Sequence, residues 1–336
     1  GLTHRLVSEI VCDSGAFKRC VYAGVGKDAW RVCRQGVWTK GEPNQCAREE
    51  VLCIMVHSLL DEIKAHAHRL SVNASMSETR LTQARRLIAD THFQNAALQQ
   101  CRVQLYDAAF DTTLDVSPLV AFNDGWCMQH GGVFREIVPK DRVSKTVGYG
   151  HELVKHCTGV QIEVVREYLR SHFVDEAVAE YLIVVCAAAL WCQAYEEFWL
   201  LNGTGSNGKT LMMSFLRTVF GDYFAEINHT VLTRPLQGGE GASPFIAALR
   251  GVRLVNTAEP GECDNIEAQQ LKRMAGQERL VARRLYGEPE YIPVNYKLFM
   301  SANDAPDISS AGESVRREFL ARLQPTEITA ERTRRV

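Results

Sequence analysis

The sequence predicts an α/β fold for its C-terminal part, set behind a mainly helical N-terminal part, and three observations carry that expectation. From Val160 to Cys192 apolar residues recur at helical spacing. After Glu196 short apolar runs alternate with helix-like stretches, the pattern of an α/β domain. One of those runs, in "FWLLNGTGSNGKTLMMSF" (Phe198 to Phe215), enters a glycine-rich stretch and continues as a helix. The expected division is an N-terminal mainly helical region over 1–110, a second region over 111–195, and the α/β domain over 196–336.

Near the N-terminus, "KDAWRVCRQGVWTKGE" reads as a hairpin of two Trp-bearing runs around Gln35-Gly36. "EEVLCIMVHSLLDEIKAHAHRL" follows with apolar residues at helical spacing, acids first and basic residues last. Between Leu114 and Gly150, Gly, Asp and Pro punctuate short apolar runs, so small strands and loops are expected there. The apolar run Leu182 to Cys192 is closed off by Glu180 and Glu196. It is far short of the roughly 20 residues that span a bilayer and reads as a buried helix. No membrane segment is therefore expected.

The 336 residues are enough for two or three domains, and no repeat or low-complexity segment is visible. The formal net charge of −2 shows no global basic excess, so a nucleic-acid surface must be local or built by assembly. Eleven cysteines are scattered without a CxxC pair, and even Cys53 with His57 makes a poor zinc set; free thiols in a reducing, intracellular compartment are expected. No signal peptide opens the chain, which begins at Gly1 without Met and reads as a fragment or processed form.

Chemistry concentrates after residue 200. Gly203, Thr204, Gly205, Ser206, Asn207, Gly208, Lys209 and Thr210 match the phosphate-loop pattern GxxxxGK[ST], between a strand and a helix as that pattern requires. Glycines let backbone N–H groups turn around a phosphate, and the helix N-terminus adds partial positive charge. Lys209 is placed to reach the β- and γ-oxygens, and the Thr210 hydroxyl to bind Mg²⁺, so ATP with Mg²⁺ is the expected ligand. In "LRGVRLVNTAEP" a short strand over 252–255 leads to Glu259. A carboxylate at such a strand end can hold Mg²⁺ through water or take a proton from attacking water. In "YKLFMSANDAPDI" another strand delivers Asn303, whose neutral amide can orient water at the γ-phosphate. "LKRMAGQERLVARRLYGEP" is locally basic; Lys272, Arg279 and Arg283 are its candidate DNA contacts, in a hairpin turning near Gly276. Such a charge run is more often a solvated face. Arg316 and Arg317 follow in "SVRREFLARLQP" and could deliver a cation to a γ-phosphate.

In this order these pieces resemble the superfamily 3 helicases, AAA+ motors of DNA viruses, phages and plasmids, and among them the poxvirus-type primase-helicases. That family follows its phosphate loop with a strand ending in Glu, a "K–TG-D–R" segment, a strand ending in Asn and an Arg pair. Here these become Glu259, Lys272 through Arg283, Asn303 and Arg316-Arg317, with Gln277-Glu278 standing where the family carries Gly-Asp. "VAFNDGWCMQHGGVFREIVP" (Val120 to Pro139) is similar to the strand-rich part of the helical collar that precedes such motors. The resemblance implies an AAA+ domain with a largely parallel sheet behind a mainly helical collar with a small strand-rich insert. It implies an ATP-driven DNA helicase acting on single-stranded or forked DNA in the central channel of a homo-oligomeric ring, expected as a hexamer. No primase motif is present, so any priming domain is expected outside this chain. A DNA-packaging or loading AAA+ ATPase, and less so a P-loop nucleotide kinase, remain open on the same residues.

Overall fold

The computed structural model describes residues 3–13, 15–24, 29–39, 41–42, 45–70, 82–83, 86–173, 175–193, 197–203, 208–233, 244–258, 265–276, 279–283, 289–303, 308–309 and 323–327. The chain divides into two units, one of 1–114 with 137–144 and the other of 115–136 with 145–336.

In the first unit, α1 (His4–Asp13) leads to a three-stranded antiparallel sheet of β1 (Cys20–Tyr22), β2 (Trp30–Arg34) and β3 (Val37–Thr39). The hairpin expected at Gln35-Gly36 is there: both turn residues have positive φ, 48° and 83°, the combination that joins twisted strands by a two-residue turn. Gly36 is required twice over, because a Cβ would also lie 2.5 Å from the Ile137 side chain. A two-residue pair, β4 (Gly41–Glu42) with β5 (Gln45–Cys46), precedes α2 (Ala47–Leu70). Val51, Met55 and Leu59 recur every fourth position of α2 and are buried, so the predicted stripe is its inner face. The α3 helix (Thr91–Gln104) starts at Asp90, whose carboxylate accepts from the Phe93 N–H at 2.7 Å. Ala97, Leu98 and Cys101 close the core of this unit against Val7, Val11 and Trp30.

The second unit begins with the antiparallel meander β6 (Val120–Ala121), β7 (Trp126–Gln129) and β8 (Val133–Glu136), the short strands expected there. Two helices follow, α4 (Gly159–Arg170), opened by a Thr158–Gln161 capping box, and α5 (Glu176–Leu190), capped by Asp175. Next come β9 (Phe198–Asn202), α6 (Lys209–Phe220), β10 (Phe224–Ile227), β11 (Leu254–Ala258), β12 (Ile266–Glu267), α7 (Ala268–Ala275), β13 (Leu280–Arg283), β14 (Pro289–Ile292), β15 (Lys297–Ala302), β16 (Ile308–Ser309) and β17 (Leu323–Glu327). Five of these strands form one sheet in the order β10-β11-β15-β9-β17, parallel at every pairing. The Glu259 strand begins two residues later than expected, at Leu254 rather than Val252.

The sheet is covered on both faces, which is why β9, an inner strand, reads as an unbroken apolar run up to Asn202. Phe198, Leu200, Val255, Leu298 and Met300 point to one core, lined by Leu271 and Met274 of α7 and by Leu280, Ala282 and Ile292 of the β13–β14 hairpin. Trp199, Leu201, Leu254 and Phe299 point to the other, beneath α5 and α6. Trp199 and Phe299 stack at 5.8 Å between ring centroids across β9 and β15. Leu182, Val185 and Ala189 of α5 belong to the same core.

Arg253 ties the meander to the sheet. It is buried, lies 3.8 Å over the Tyr223 ring, and donates to the carbonyls of Leu119 and Leu190. The Tyr223 hydroxyl in turn donates to the Lys145 carbonyl at 2.8 Å, and burial pushes this phenol up to about 12.

Candidate functional site

Parallel strands of an open α/β sheet present their carboxyl ends to ligands. At that edge β9 ends at Asn202, and the Gly203 N–H donates to the Ala302 carbonyl at 3.2 Å, binding the start of the glycine-rich loop to the end of β15. Thr204, Gly205, Ser206 and Asn207 lie outside the described residues. Gly208 takes φ 87° and caps α6, a left-handed conformation that glycine adopts without a Cβ penalty. Lys209 opens the helix, with Thr210 exposed beside it.

Lys209 Nζ donates to Asn303 Oδ1 at 3.0 Å and to the Gly203 carbonyl. The sheet order explains the meeting: β15 lies between β9 and β11, so Asn303 leaves the sheet directly beside the loop. Ala258 pairs with Ser301, and Ser301 with Leu201, so β11 also ends at this edge. Two strand spacings, about 10 Å, separate Ala258 from Leu201. Glu259 follows Ala258 in the chain and, like Arg316 and Arg317, lies outside the described residues. Thr210 offers a hard hydroxyl oxygen of the kind that Mg²⁺ takes, alongside a lysine that cannot compete as a ligand.

Of the basic segment, Lys272 is exposed on α7, Arg279 is exposed just before β13, and Arg283 is the last residue of β13. The Gly276 N–H closes α7 onto the Lys272 carbonyl. Gly276 thus ends a helix and is not the hairpin turn expected from the sequence; the antiparallel pair of this segment is β13 with β14, with Leu280 facing Ile292 and Val281 facing Tyr291 in register. Its inward residues are core, while Tyr291 is 64% exposed on the outer face.

Sequence reasoning missed how this hairpin is held. Arg250, buried behind it, donates to Glu290 Oε2 at 2.8 Å and to the Tyr291 carbonyl at 3.1 Å. The signal was present in "LRGVRLV", where two arginines precede a strand start, because arginines so placed are commonly carbonyl and carboxylate anchors. Lys297 was missed too: it starts β15 fully buried, 3.6 Å from Glu197, and burial lowers its pKa against the opposing pull of that carboxylate. It sits at the amino end of the strand, across the sheet from Asn303. Among the described residues no group of three His, Cys, Asp or Glu could hold a metal ion, and no helix is long and apolar enough to cross a membrane.

No family model matches the chain. Two curated viral proteins are similar to it in sequence. "Putative helicase L207/L206" of Acanthamoeba polyphaga mimivirus is 28% identical over 239 residues, 68% of this chain and 24% of that protein. "Putative helicase 022R" of Frog virus 3 (isolate Goorha) is 32% identical over 121 residues, 35% of this chain and 12% of that protein. The chain thus spans about a quarter or less of the relatives it matches. Two apo structures of the NrS-1 C-terminal region each cover 50% of this chain and 38% of their own at 18% identity, with TM-scores of 0.38 and 0.39. In sequence, then, the chain is similar to viral proteins that carry the name of helicases.

Proposed function

We propose that this chain is the motor part of an ATP-driven DNA helicase of superfamily 3, an AAA+ ATPase working as a ring of identical subunits. The observation that carries the reading is the Lys209–Asn303 contact at the carboxyl edge of a parallel sheet, beside a glycine-rich turn into a helix. The names of the viral relatives support the same direction.

In this reading Lys209 leaves the Gly203 carbonyl and Asn303 for the β- and γ-phosphate oxygens, drawn by a stronger charge-assisted contact. Asn303 then orients the attacking water, and Glu259 takes its proton. Thr210, with Glu259 acting through water, would hold Mg²⁺, which would supply charge neutralisation at the phosphates. Arg316 or Arg317 enters the site of a neighbouring subunit, which makes hydrolysis a property of a ring, expected as a hexamer. Lys272, Arg279 and Arg283, one set per subunit, grip successive phosphates of single-stranded or forked DNA without reading bases. A priming domain belongs outside the chain.

The test is ATP hydrolysis with and without single-stranded DNA, followed by unwinding of a forked duplex. DNA stimulation and unwinding that vanish together when Lys272, Arg279 and Arg283 are replaced by Ala, with basal hydrolysis kept, support the reading. Hydrolysis indifferent to DNA overturns it in favour of another AAA+ motor, and phosphoryl transfer to a mononucleotide would make the protein a kinase.

A further inference from the structure

The N-terminal unit has a cavity that the motor reading does not use. Its volume is about 40 Å³, and Arg48, Asn95, Gln99 and Arg102 line it with Tyr22 and Trp30. Asn95, Gln99 and Arg102 recur at helical spacing along one face of α3, and Arg48 approaches from the first turn of α2. The α3 sequence, "THFQNAALQQCRVQ", contains no acid. Glu50, close by on α2, is already committed to Arg34 at 3.0 Å. Among the described residues neither Arg48 nor Arg102 forms an ion pair with a carboxylate. Two guanidiniums thus line one cavity, with no carboxylate among the described residues at ion-pair distance from either.

The donors are also oriented. A guanidinium has no acceptor, so Asn95 presents Oδ1 to Arg48 and keeps its NH₂ turned from that contact. Arg102 lays its carbon centre over the Tyr22 ring at 4.3 Å, which occupies the flat face of the guanidinium and leaves its N–H edge to donate. Tyr22 and Trp30 are almost fully buried, meeting edge to face at 5.1 Å, and they form a dry wall that strengthens any charge contact made against it. A cavity of 40 Å³ accepts roughly three water-sized atoms, enough for the inward oxygens of one tetrahedral anion whose remaining oxygen faces out, and too little for a base.

We infer that this cavity binds a phosphate group, held by Arg48 and Arg102 and oriented by Asn95 and Gln99. The group is either a phosphodiester of a nucleic-acid strand or a free phosphate anion. The inference is independent of the motor reading.

The experiment uses the full chain carrying Lys209→Ala, so that the phosphate loop contributes little, and titrates it calorimetrically with inorganic pyrophosphate, of which one phosphate enters the cavity and the other stays outside it. Binding is expected, and Arg48→Gln or Arg102→Gln should weaken it by about tenfold or more, the loss of one charge-assisted contact. Arg48→Lys should recover part of it, and circular dichroism reports whether Arg102→Gln, which loses its place on Tyr22, is still folded. Displacement of pyrophosphate by a short oligothymidylate assigns the site to nucleic-acid phosphodiesters. Pyrophosphate binding without such displacement assigns it to a free anion. Absence of pyrophosphate binding, or equal binding by the parent and Arg48→Gln, overturns the inference.

Discussion

Asn303 Oδ1 accepts a hydrogen bond from Lys209 Nζ at 3.0 Å, although the two residues stand 94 positions apart in the chain. The contact exists because β15 was inserted beside β9, and it makes Asn303 the natural partner of whatever Lys209 holds. Asn303→Ala should leave the Michaelis constant for ATP within a fewfold while lowering kcat roughly 100-fold, as loss of a single positioning group does. Asn303→Asp should raise the Michaelis constant, since a carboxylate both traps Lys209 and repels the γ-phosphate. Steady-state kinetics decide, and an Ala variant with full kcat would leave Asn303 a purely structural role.

Lys209 and Glu259 should separate positioning from chemistry. Lys209→Ala is expected to lose nucleotide affinity and turnover together, whereas Glu259→Gln keeps affinity and loses turnover. Fluorescent-nucleotide titration beside single-turnover hydrolysis distinguishes them. Normal hydrolysis by the Gln variant would remove Glu259 from the mechanism.

Mixed rings test the arginines. A variant with Arg316 and Arg317 both replaced by Ala, mixed with Lys209→Ala protein, should regain activity through interfaces that retain one intact partner of each kind. Failure to recover at every mixing ratio, in rings shown to exchange subunits, argues against an arginine acting across the interface.

Arg253 should matter to stability more than its place outside the site suggests. Arg253→Met keeps apolar volume beneath Tyr223 but strands two carbonyls, at Leu119 and Leu190, in a buried setting. A loss of roughly 2–4 kcal/mol is expected from two such groups, read from urea midpoints. Arg253→Lys should recover only part, because one ammonium cannot reproduce the fork.

Stability at low pH should report on Asp124. Burial would raise its pKa, but hydrogen bonds from the His151 side chain and backbone and from the Trp126 backbone prevail and lower it below the ordinary carboxylate value. The folded chain therefore releases this proton at lower pH than the unfolded chain does. Its stabilising contribution is complete above about pH 4, the ordinary range, and fades as pH falls through the lowered value. Asp124→Asn should melt earlier than the parent at neutral pH, with the gap closing as the solution is acidified. A gap independent of pH would show that shape at the His151–Trp126 stack, and not charge, is what Asp124 supplies.

Much of the site's scaffold was legible in the sequence. β9 and β15 announce themselves because strands buried on both faces are dominated by apolar residues, here FWLL and LFM, and each runs into an asparagine, Asn202 or Asn303. The Gln35-Gly36 hairpin was equally plain, since few residues other than such a pair accept two positive φ values in succession. β17 was not legible: "LQPTE" has one apolar residue and a proline, and it is a strand only because β9 offers it an unpaired edge. Nor could the order of strands be read, because it depends on crossovers and not on any local pattern. The burial of Arg250, Arg253 and Lys297 escaped notice for a related reason, as each is fixed by partners distant in sequence.

The position of β9 has a consequence for how the protein is made. β9 occupies 198–202, yet its two neighbours are β15 at 297–302 and β17 at 323–327. A ribosome adding about 5–20 residues per second emits β9 several seconds before either neighbour exists. During that interval "FWLLN" is an apolar segment with both backbone edges open, a template for joining another nascent chain. The strand that leads into the glycine-rich loop is thus the one most in need of shelter during synthesis, and a chaperone or crowding by sister chains on one messenger would act there first.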